Sequence, residues 1–521
     1  MFENLLRLSS PDTPDEARYW ELTRQLLQRL GKAEQELVVR LAVFHWFDES
    51  ILTYIWCELL KEPAAPTDAW TVVQNLPFLE PYPDQGFTFH ELYRNAILYD
   101  LWNSRLVLYR RMALEAARYF EQSSEDISAR VERVYHLFIG EPFEGRKLCV
   151  KLMEEFQDNG RFGLWHSLNQ SCLEHLEGGR LDQGSQALVL ESCGRLANVS
   201  GNRKEAIEKL ERALDLYRAI RDKGGQAGIL FSISWNYNHE GFREKAIAAL
   251  QSAYQLFIEV GNLWYAGESL FRIGEMRGFN GEVEEAYRAF EQALEVFSAI
   301  DAPLRQADAL VYMGMVGFLP DEQALDLYQR ASRLYRRAWK RYINMSPDDP
   351  ELANPFRMSG AKMLKWRLYT AALNEGDCLR EIGRKELDLE TRGLIFAQAE
   401  AAYQRAVKPA LEMFDVRWIS RIRLRLGDIK VLLGQTDEAL DFYKKALDDA
   451  IKIDHKLYIG WAYIGLGDIA LESGDNRARA RKYYLEAREL YLAVKAVSNI
   501  RDQIEPRLAR LDDDEGRNDV G

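Results

Sequence analysis

The sequence predicts an all-α chain: an α-solenoid of about seven helix pairs behind a small domain of helices closed by one hairpin. Three observations carry this expectation. Small residues recur at a fixed 40-residue step, the segments between them have the apolar spacing of amphipathic helices, and residues 1–180 break the step.

Composition sets the frame. The 521 residues carry 81 acidic and 68 basic side chains, a net charge of −13, with 47% hydrophobic residues. That balance fits a folded, soluble chain and disfavours unspecific attraction to nucleic acid or anionic membranes. No run approaches the ~18 apolar residues of a membrane span, and Met1–Ser10 lacks a secretory apolar core. The five cysteines (Cys57, Cys149, Cys172, Cys193, Cys378) form no C-x-x-C pair, so free thiols in a reducing cytoplasm are expected.

Residues 1–32 are expected as a helical lead-in and 33–100 as a compact domain. Ala33–Phe44 and Glu49–Leu60 have helical patterns rich in Leu, Val, Ile, Trp and Phe, and Pro63 and Pro66 interrupt them. Asp68 then caps a short helix through Gln74. Phe78–Phe89 holds two short strands around a Pro/Asp/Gly turn, and His90 opens another helix. Three helices closed by a hairpin make a winged helix. From Glu62 through Tyr93 there is no lysine or arginine; DNA reading needs them, so transcription regulation is the weakest function and no nucleic-acid partner is expected.

This front resembles STAND-type signal-transduction ATPases, including the NB-ARC group, in which a nucleotide-binding core precedes a winged helix and a repeat arm. The matching stretches are RLAVFHWFDESIL (Arg40–Leu52), VVQNLPFLEPY (Val72–Tyr82) and FTFHELYRNAIL (Phe87–Leu98). Phe89-His90-Glu91 stands where that family has Met-His-Asp, whose histidine contacts bound diphosphate in intact members. The sequence departs in having no G-x-x-x-x-G-K-[S/T], so a nucleotide has no phosphate cradle. His90 is then a relic, a contact for an NTPase chain acting in trans, or a plain helix-start histidine.

Residues 101–180 are expected as a helical connector and 181–344 as a first block of repeats. Gly194, Ser234, Gly274 and Gly314 step by 40, as do Gly201, Gly241 and Gly281. Ala206/Ala246/Ala286 and Ala213/Ala253/Ala293 repeat in phase, with Leu210, Leu250 and Phe290 between them. Small residues mark where helix axes approach, and the i, i+3, i+4, i+7 stripe is what the paired helix buries. One pair cannot cover its own apolar face, so pairs stack. The pattern resembles the tetratricopeptide repeat, lengthened from its usual ~34 residues. Residues 345–361, with three prolines, are expected as a loop or hinge, or else as a continued long helix. Residues 362–510 form a second block, in which Gly376 to Ala399 spans 23 residues against 12 from Gly194 to Ala206. Insertion within that pair or longer helices would account for the excess. Residues 511–521 are expected as an acidic disordered tail.

No recognisable catalytic or metal-binding cluster is present: no H-E-x-x-H, no paired histidines, no G-x-S-x-G. The expectation is a non-enzymatic protein that needs no cofactor. The tetratricopeptide resemblance implies that first helices line a concave groove binding a protein or peptide. Next to the small residue lie Arg195, Trp235, Glu275, Met315, Asp377 and Asp428; four beyond it lie Asn238, Phe318 and Arg380. About a turn earlier come Phe231, Phe271, Arg272 and Arg425. Aromatics supply binding energy and polar groups fix register. Arg417, Arg421 and Arg425 share one helical face, to pair with Asp377 or Asp448/Asp449 or to attract an acidic peptide. The Arg333/Arg336/Arg337/Lys340/Arg341 run is expected on a solvated outer face. The alternative function is the sensor arm of a split STAND-type system, working with an NTPase in trans.

Overall fold

The computed structural model describes residues 15–83, 85–122, 126–342, 360–472 and 477–518. The chain falls into two compact units, Met1–Leu256 and Phe257–Gly521.

Unit 1 begins with α1 (Asp15–Leu27) and α2 (Lys32–Val43). Next is α3 (Glu49–Thr53), running on as a π-helical turn (Tyr54–Leu59), and then α4 (Pro66–Gln74). The strands are β1 (Leu79–Tyr82) and β2 (Gly86–Phe89), followed by α5 (Glu91–Ser104). Asp48 caps α3 by accepting from the Ile51 N–H at 2.9 Å. Asp68 does not cap α4, as the sequence suggested. The helix starts at Pro66, whose fixed φ suits the first position, and Asp68 lies in the first turn beside the dipole's positive end. The hairpin is antiparallel, with Leu79 opposite Phe89, and Phe47 bridges onto β2 through two 2.8 Å bonds with Phe87. Gly86 is obligatory there: φ is +119°, and a Cβ would stand 2.5 Å from the Phe47 carbonyl oxygen.

The connector is α6 (Leu106–Glu121), α7 (Ile127–Gly140), α8 (Pro142–Asp158) and α9 (Phe162–Glu177). Tyr109, Met112 and Phe120 of α6 join Phe44, Ile51 and Phe89 in one core, so front module and connector pack as a single body.

The repeats explain the 40-residue step. Six helices of 17 residues follow one another: α10 (Gln183–Val199), α11 (Arg203–Ala219), α12 (Lys223–His239), α13 (Arg243–Glu259), α14 (Leu263–Phe279) and α15 (Val283–Ala299). Each starts 20 residues after the last, and every three-residue turn contains a left-handed residue: Gly201, Arg221, Gly241, Gly261, Gly281, Asp301. The bond from the Asn202 N–H to the Ala197 carbonyl, 2.9 Å, closes one such turn. The long period is thus two long helices with short turns.

Unit 2 continues with α16 (Pro303–Met315) and α17 (Asp321–Tyr342). Residues 343–359, and so nearly all of the expected loop or hinge, lie outside the described residues. In α18 (Gly360–Lys385) and α19 (Leu389–Glu412), 26 and 24 residues long, the excess of this pair lengthens both helices. The regular spacing returns in α20 (Val416–Leu432), α21 (Thr436–Lys452), α22 (Lys456–Glu472) and α23 (Arg477–Ala493). Close approach is literal: a Cβ on Gly274 would meet Phe290 at 2.7 Å, and one on Gly427 would meet Tyr443 at 2.7 Å.

The acidic tail is a correction. After turns at Val497–Asn499 and Ile500–Ile504, helix α24 (Glu505–Asn518) runs through most of the segment expected to be disordered. Leu511 buries with Tyr484, Tyr491, Ile500 and Ile504, covering the apolar face that the last pair would otherwise expose.

Candidate functional site

In the later repeats a tyrosine of the second helix lies over the small residue of the first (Tyr403 over Gly376, Tyr443 over Gly427, Tyr484 over Gly467), so its hydroxyl reaches the next side chain. Tyr403 donates to Asp377 at 2.7 Å, Tyr443 to Asp428 at 2.9 Å and Tyr484 to Asp468 at 2.8 Å. An arginine from a following helix completes two of these sites: Arg425 lies 2.8 Å from Asp377, and Arg507 reaches Asp468 at 2.7 Å, whereas Asp428 takes Arg380 from an earlier helix at 3.3 Å. Arg305 joins Glu268 and, at 2.7 Å, Asp308, which also takes Arg367 at 2.6 Å and the Tyr335 hydroxyl at 2.7 Å. The result is a polar ladder of carboxylate, tyrosine and arginine along unit 2. Burial raises the Asp428 carboxyl against the pull of Arg425 and Arg380. At Asp308 burial pushes the same way, but Arg367 and Arg305 outweigh it and the carboxyl is lowered.

This ladder absorbs several residues expected to face a partner. Arg380, only 8% exposed, is held by Glu381 at 3.0 Å and Asp428 at 3.3 Å. Arg425 pairs with Asp377, lies 3.6 Å from Asp428 and stacks 4.4 Å over Trp461. Asp377, Arg380, Arg425 and Asp428 therefore close on one another. Phe271 corrects the groove reading more sharply. It is 4% exposed, against Phe290 at 5.1 Å and Tyr312 at 4.9 Å with Arg305 over its ring, because the next first helix covers that face. Spacing within a helix names the face; it does not say which neighbour covers it.

Other candidates remain accessible. In unit 2, Met315 (55%) and Phe318 (44%) are exposed, the latter against Tyr287 at 5.1 Å, while Arg272 and Glu275 are half-buried. Burial raises the Glu275 carboxyl, with Arg272 and Arg305 opposing. In unit 1, Trp235 is 46% exposed with its ring edge on His239, and Phe231 and Asn238 are half-buried. Arg195 donates to Gln157 at 3.1 Å and lies 3.6 Å from Glu191.

On α20, Arg417 pairs with Asp415 rather than with Asp377 or Asp448/Asp449, and Arg423 pairs with Asp449. Arg421 has no hydrogen-bond or ion-pair partner among the described residues. It is half-buried and acts electrostatically on Tyr369, whose buried hydroxyl has no partner either. Trp418 packs edge-on to Tyr369 at 4.9 Å, and Tyr458 also acts on it. Of this aromatic pair Tyr369 is fully buried and Trp418 half-buried, so Trp418 and Arg421 are the groups left accessible.

Sequence reasoning missed a second polar centre, in unit 1. Buried Arg94 donates to Glu174 (2.7 Å), to the Tyr135 hydroxyl (2.8 Å) and to the Phe44 carbonyl (3.2 Å). Arg180 reaches Glu174 at 3.2 Å, and His45 stacks on Tyr135 with Glu132 at 3.3 Å. Burial would raise the Glu174 carboxyl, but Arg94, His45, His175 and Arg180 outweigh it and hold it well below the usual carboxylate range. The signal was legible: Arg94 stands on the Ile97/Leu98/Leu101 stripe of α5, where a charge needs a buried partner. His90 is a helix cap, its Nδ1 accepting from the Leu92 N–H at 3.3 Å.

A tetratricopeptide family model matches residues 418–493 and a soluble NSF attachment protein model matches 198–346. The repeats are of the tetratricopeptide type. Among solved structures, a signal transduction ATPase with numerous domains, carrying a tetratricopeptide repeat sensor, from Pyrococcus horikoshii aligns at 14% identity and a TM-score of 0.50. The alignment covers 94% of this chain and 68% of that one. The apo form of RapI aligns at 13% identity and a TM-score of 0.40, over 60% of this chain and 99% of that one. No curated protein sequence matches this one. The tetratricopeptide-like array is a fold typical of protein-interaction scaffolds. Among the described residues no helix is long and apolar enough to cross a membrane.

Proposed function

We propose that the protein is a non-enzymatic interaction module that binds a protein or peptide segment on the first helices of its tetratricopeptide array, with Arg421 as an anchoring charge. The observation that carries this reading is the contrast within the ladder. Its other charges are answered internally, whereas half-buried Arg421, one helical turn from Trp418, has no hydrogen-bond or ion-pair partner among the described residues. A half-buried cation beside an aromatic suits a carboxylate on a partner whose apolar neighbours pack on the half-buried Trp418 ring. The exposed Met315 and Phe318 add apolar area in the same unit.

The test is Arg421→Glu. Partner segments captured from the native host by the wild-type chain are identified by crosslinking and titrated as synthetic peptides. The variant should melt like the parent and bind at least about tenfold more weakly, on the order of 1.4 kcal/mol. Equal affinity in a folded variant refutes the assignment.

A second reading is a sensor arm acting with a nucleotide-binding chain in trans. The fold-level match to a STAND protein with a repeat sensor favours it, as does the helix-and-hairpin front, read as a winged helix, locked to its connector through Arg94. Copurification of a P-loop ATPase dependent on residues 33–100 would support it; capture that does not need them would count against it.

A further inference from the structure

We propose a second binding site, on the outside of unit 2: the groove between α15 and α17, floored by α16, takes up an acidic protein segment bearing an aliphatic side chain. It is separate from the inner-face reading above and does not depend on it.

Two observations meet there. The first is a cavity of about 340 Å³ with Leu294, Leu310 and Leu334 at its base and Arg330 and Arg333 at its rim. That is the small end of ligand pockets and suits one or two side chains. The polar Gln306 is already engaged, donating to the Phe297 carbonyl at 3.1 Å, and the three leucines supply the apolar part of a lining that is otherwise polar.

The second observation is charge. Arg330, Arg333, Arg336, Arg337 and Lys340 are all exposed along α17. Asp326 lies 3.7 Å from Arg330, and Arg336 donates to the Ser332 carbonyl at 3.1 Å. Arg333 and Arg337 have no ion-pair partner among the described residues. They stand four apart on one face, where like charges repel, so an anion laid along the helix relieves both. On a chain of net charge −13, attraction is confined to about the 8 Å over which charges are felt in physiological salt. Only a ligand seated on this helix gains from it.

Charge complementarity and the apolar floor together select the occupant. Glutamate or aspartate side chains accept paired bonds from Arg333 and Arg337, and an aliphatic residue between them fills the cavity. A nucleic-acid strand offers the charge without the aliphatic group. The sequence had marked this run as a solvated outer face; exposed it is, but beside a cavity that periodicity could not reveal.

The probe is a fluorescein-labelled dodecapeptide of glutamate and glycine with a central Leu-Leu pair, followed by polarisation with the full chain. Arg333→Gln/Arg337→Gln should weaken binding at least tenfold. Ser298→Phe, which projects a ring into the cavity from an exposed lining position, should do the same, both with unchanged melting. Replacing the two leucines of the peptide by glycine, which leaves the protein untouched, should cost at least fivefold, and raising salt should weaken binding further. Arg421→Glu should leave it unaltered. Equal binding of the leucine-free peptide, or binding indifferent to both protein variants, overturns the proposal. So does preferential binding of phosphatidylserine vesicles or single-stranded RNA lost in the same variants.

Discussion

Replacing Gly427 by alanine should destabilise the second unit, although the same change in an open helix stabilises. In an exposed helix interior Gly→Ala gains about 0.8–1 kcal/mol. At Gly427 the new Cβ would stand 2.7 Å from Tyr443 Cε1, 2.9 Å from Cδ1 and 3.0 Å from Cζ. The ring cannot swing away freely, because Gly465 of the next first helix also lies close against it, so close that a Cβ there would clash with the same ring. Displacing it also strains the 2.9 Å bond to buried Asp428. Overpacking costs about 1–3 kcal/mol, and a lost hydrogen bond to a charged group about 1.5–3 kcal/mol. After the propensity gain the net loss is about 1.5–5 kcal/mol. Gly393, in α19 with nothing within 4 Å of its Cβ position, is the internal control. Gly393→Ala should stabilise by about 0.5–1 kcal/mol. The assay is urea denaturation followed by hydrogen exchange in α20–α22, since repeat arrays open locally. If Gly427→Ala matches or exceeds the parent, close helix approach is not what the glycine provides.

Two further outcomes concern unit 1. Glu174→Ala leaves Arg94 buried without its carboxylate and should cost about 3–5 kcal/mol in denaturant melts; Arg94→Met/Glu174→Met should recover much of it, and a double variant as unstable as the single one would contradict this. His136 is fully buried, and burial, with Arg94 and His45, lowers its pKa to about 3. Its folded pKa lies below the unfolded 6.5, so stability is complete above about pH 6.5 and falls by up to ~1.4 kcal/mol per pH unit from there towards 3. Replacement by phenylalanine, which keeps the stack on Phe120, should flatten that slope by one proton; an unchanged slope would place the titration elsewhere.

The fold was legible because its determinants are local and repeated. A glycine 40 residues after a glycine, with alanines in phase, specifies helix length, turn length and which faces touch, and each pair copies the last. The front module was legible for a related reason: prolines, the Phe78–Phe89 turn and apolar runs are short-range signals. The disordered-tail expectation failed at α24, because composition near Asp512 said nothing of the uncovered face of α23 that Leu511 fills.

What the tertiary structure alone decided is which side chains are already answered. Arg380, Arg421 and Arg425 look alike in sequence, yet two close onto Asp377 and Asp428 while Arg421 is left without an ion-pair partner among the described residues. Phe271 and Phe318 are both expected in the groove, yet the first is core and the second exposed. The physical reason is range. Helix periodicity fixes the direction of a side chain within its own repeat, whereas its exposure and its charge partner come from residues 40 or more positions away.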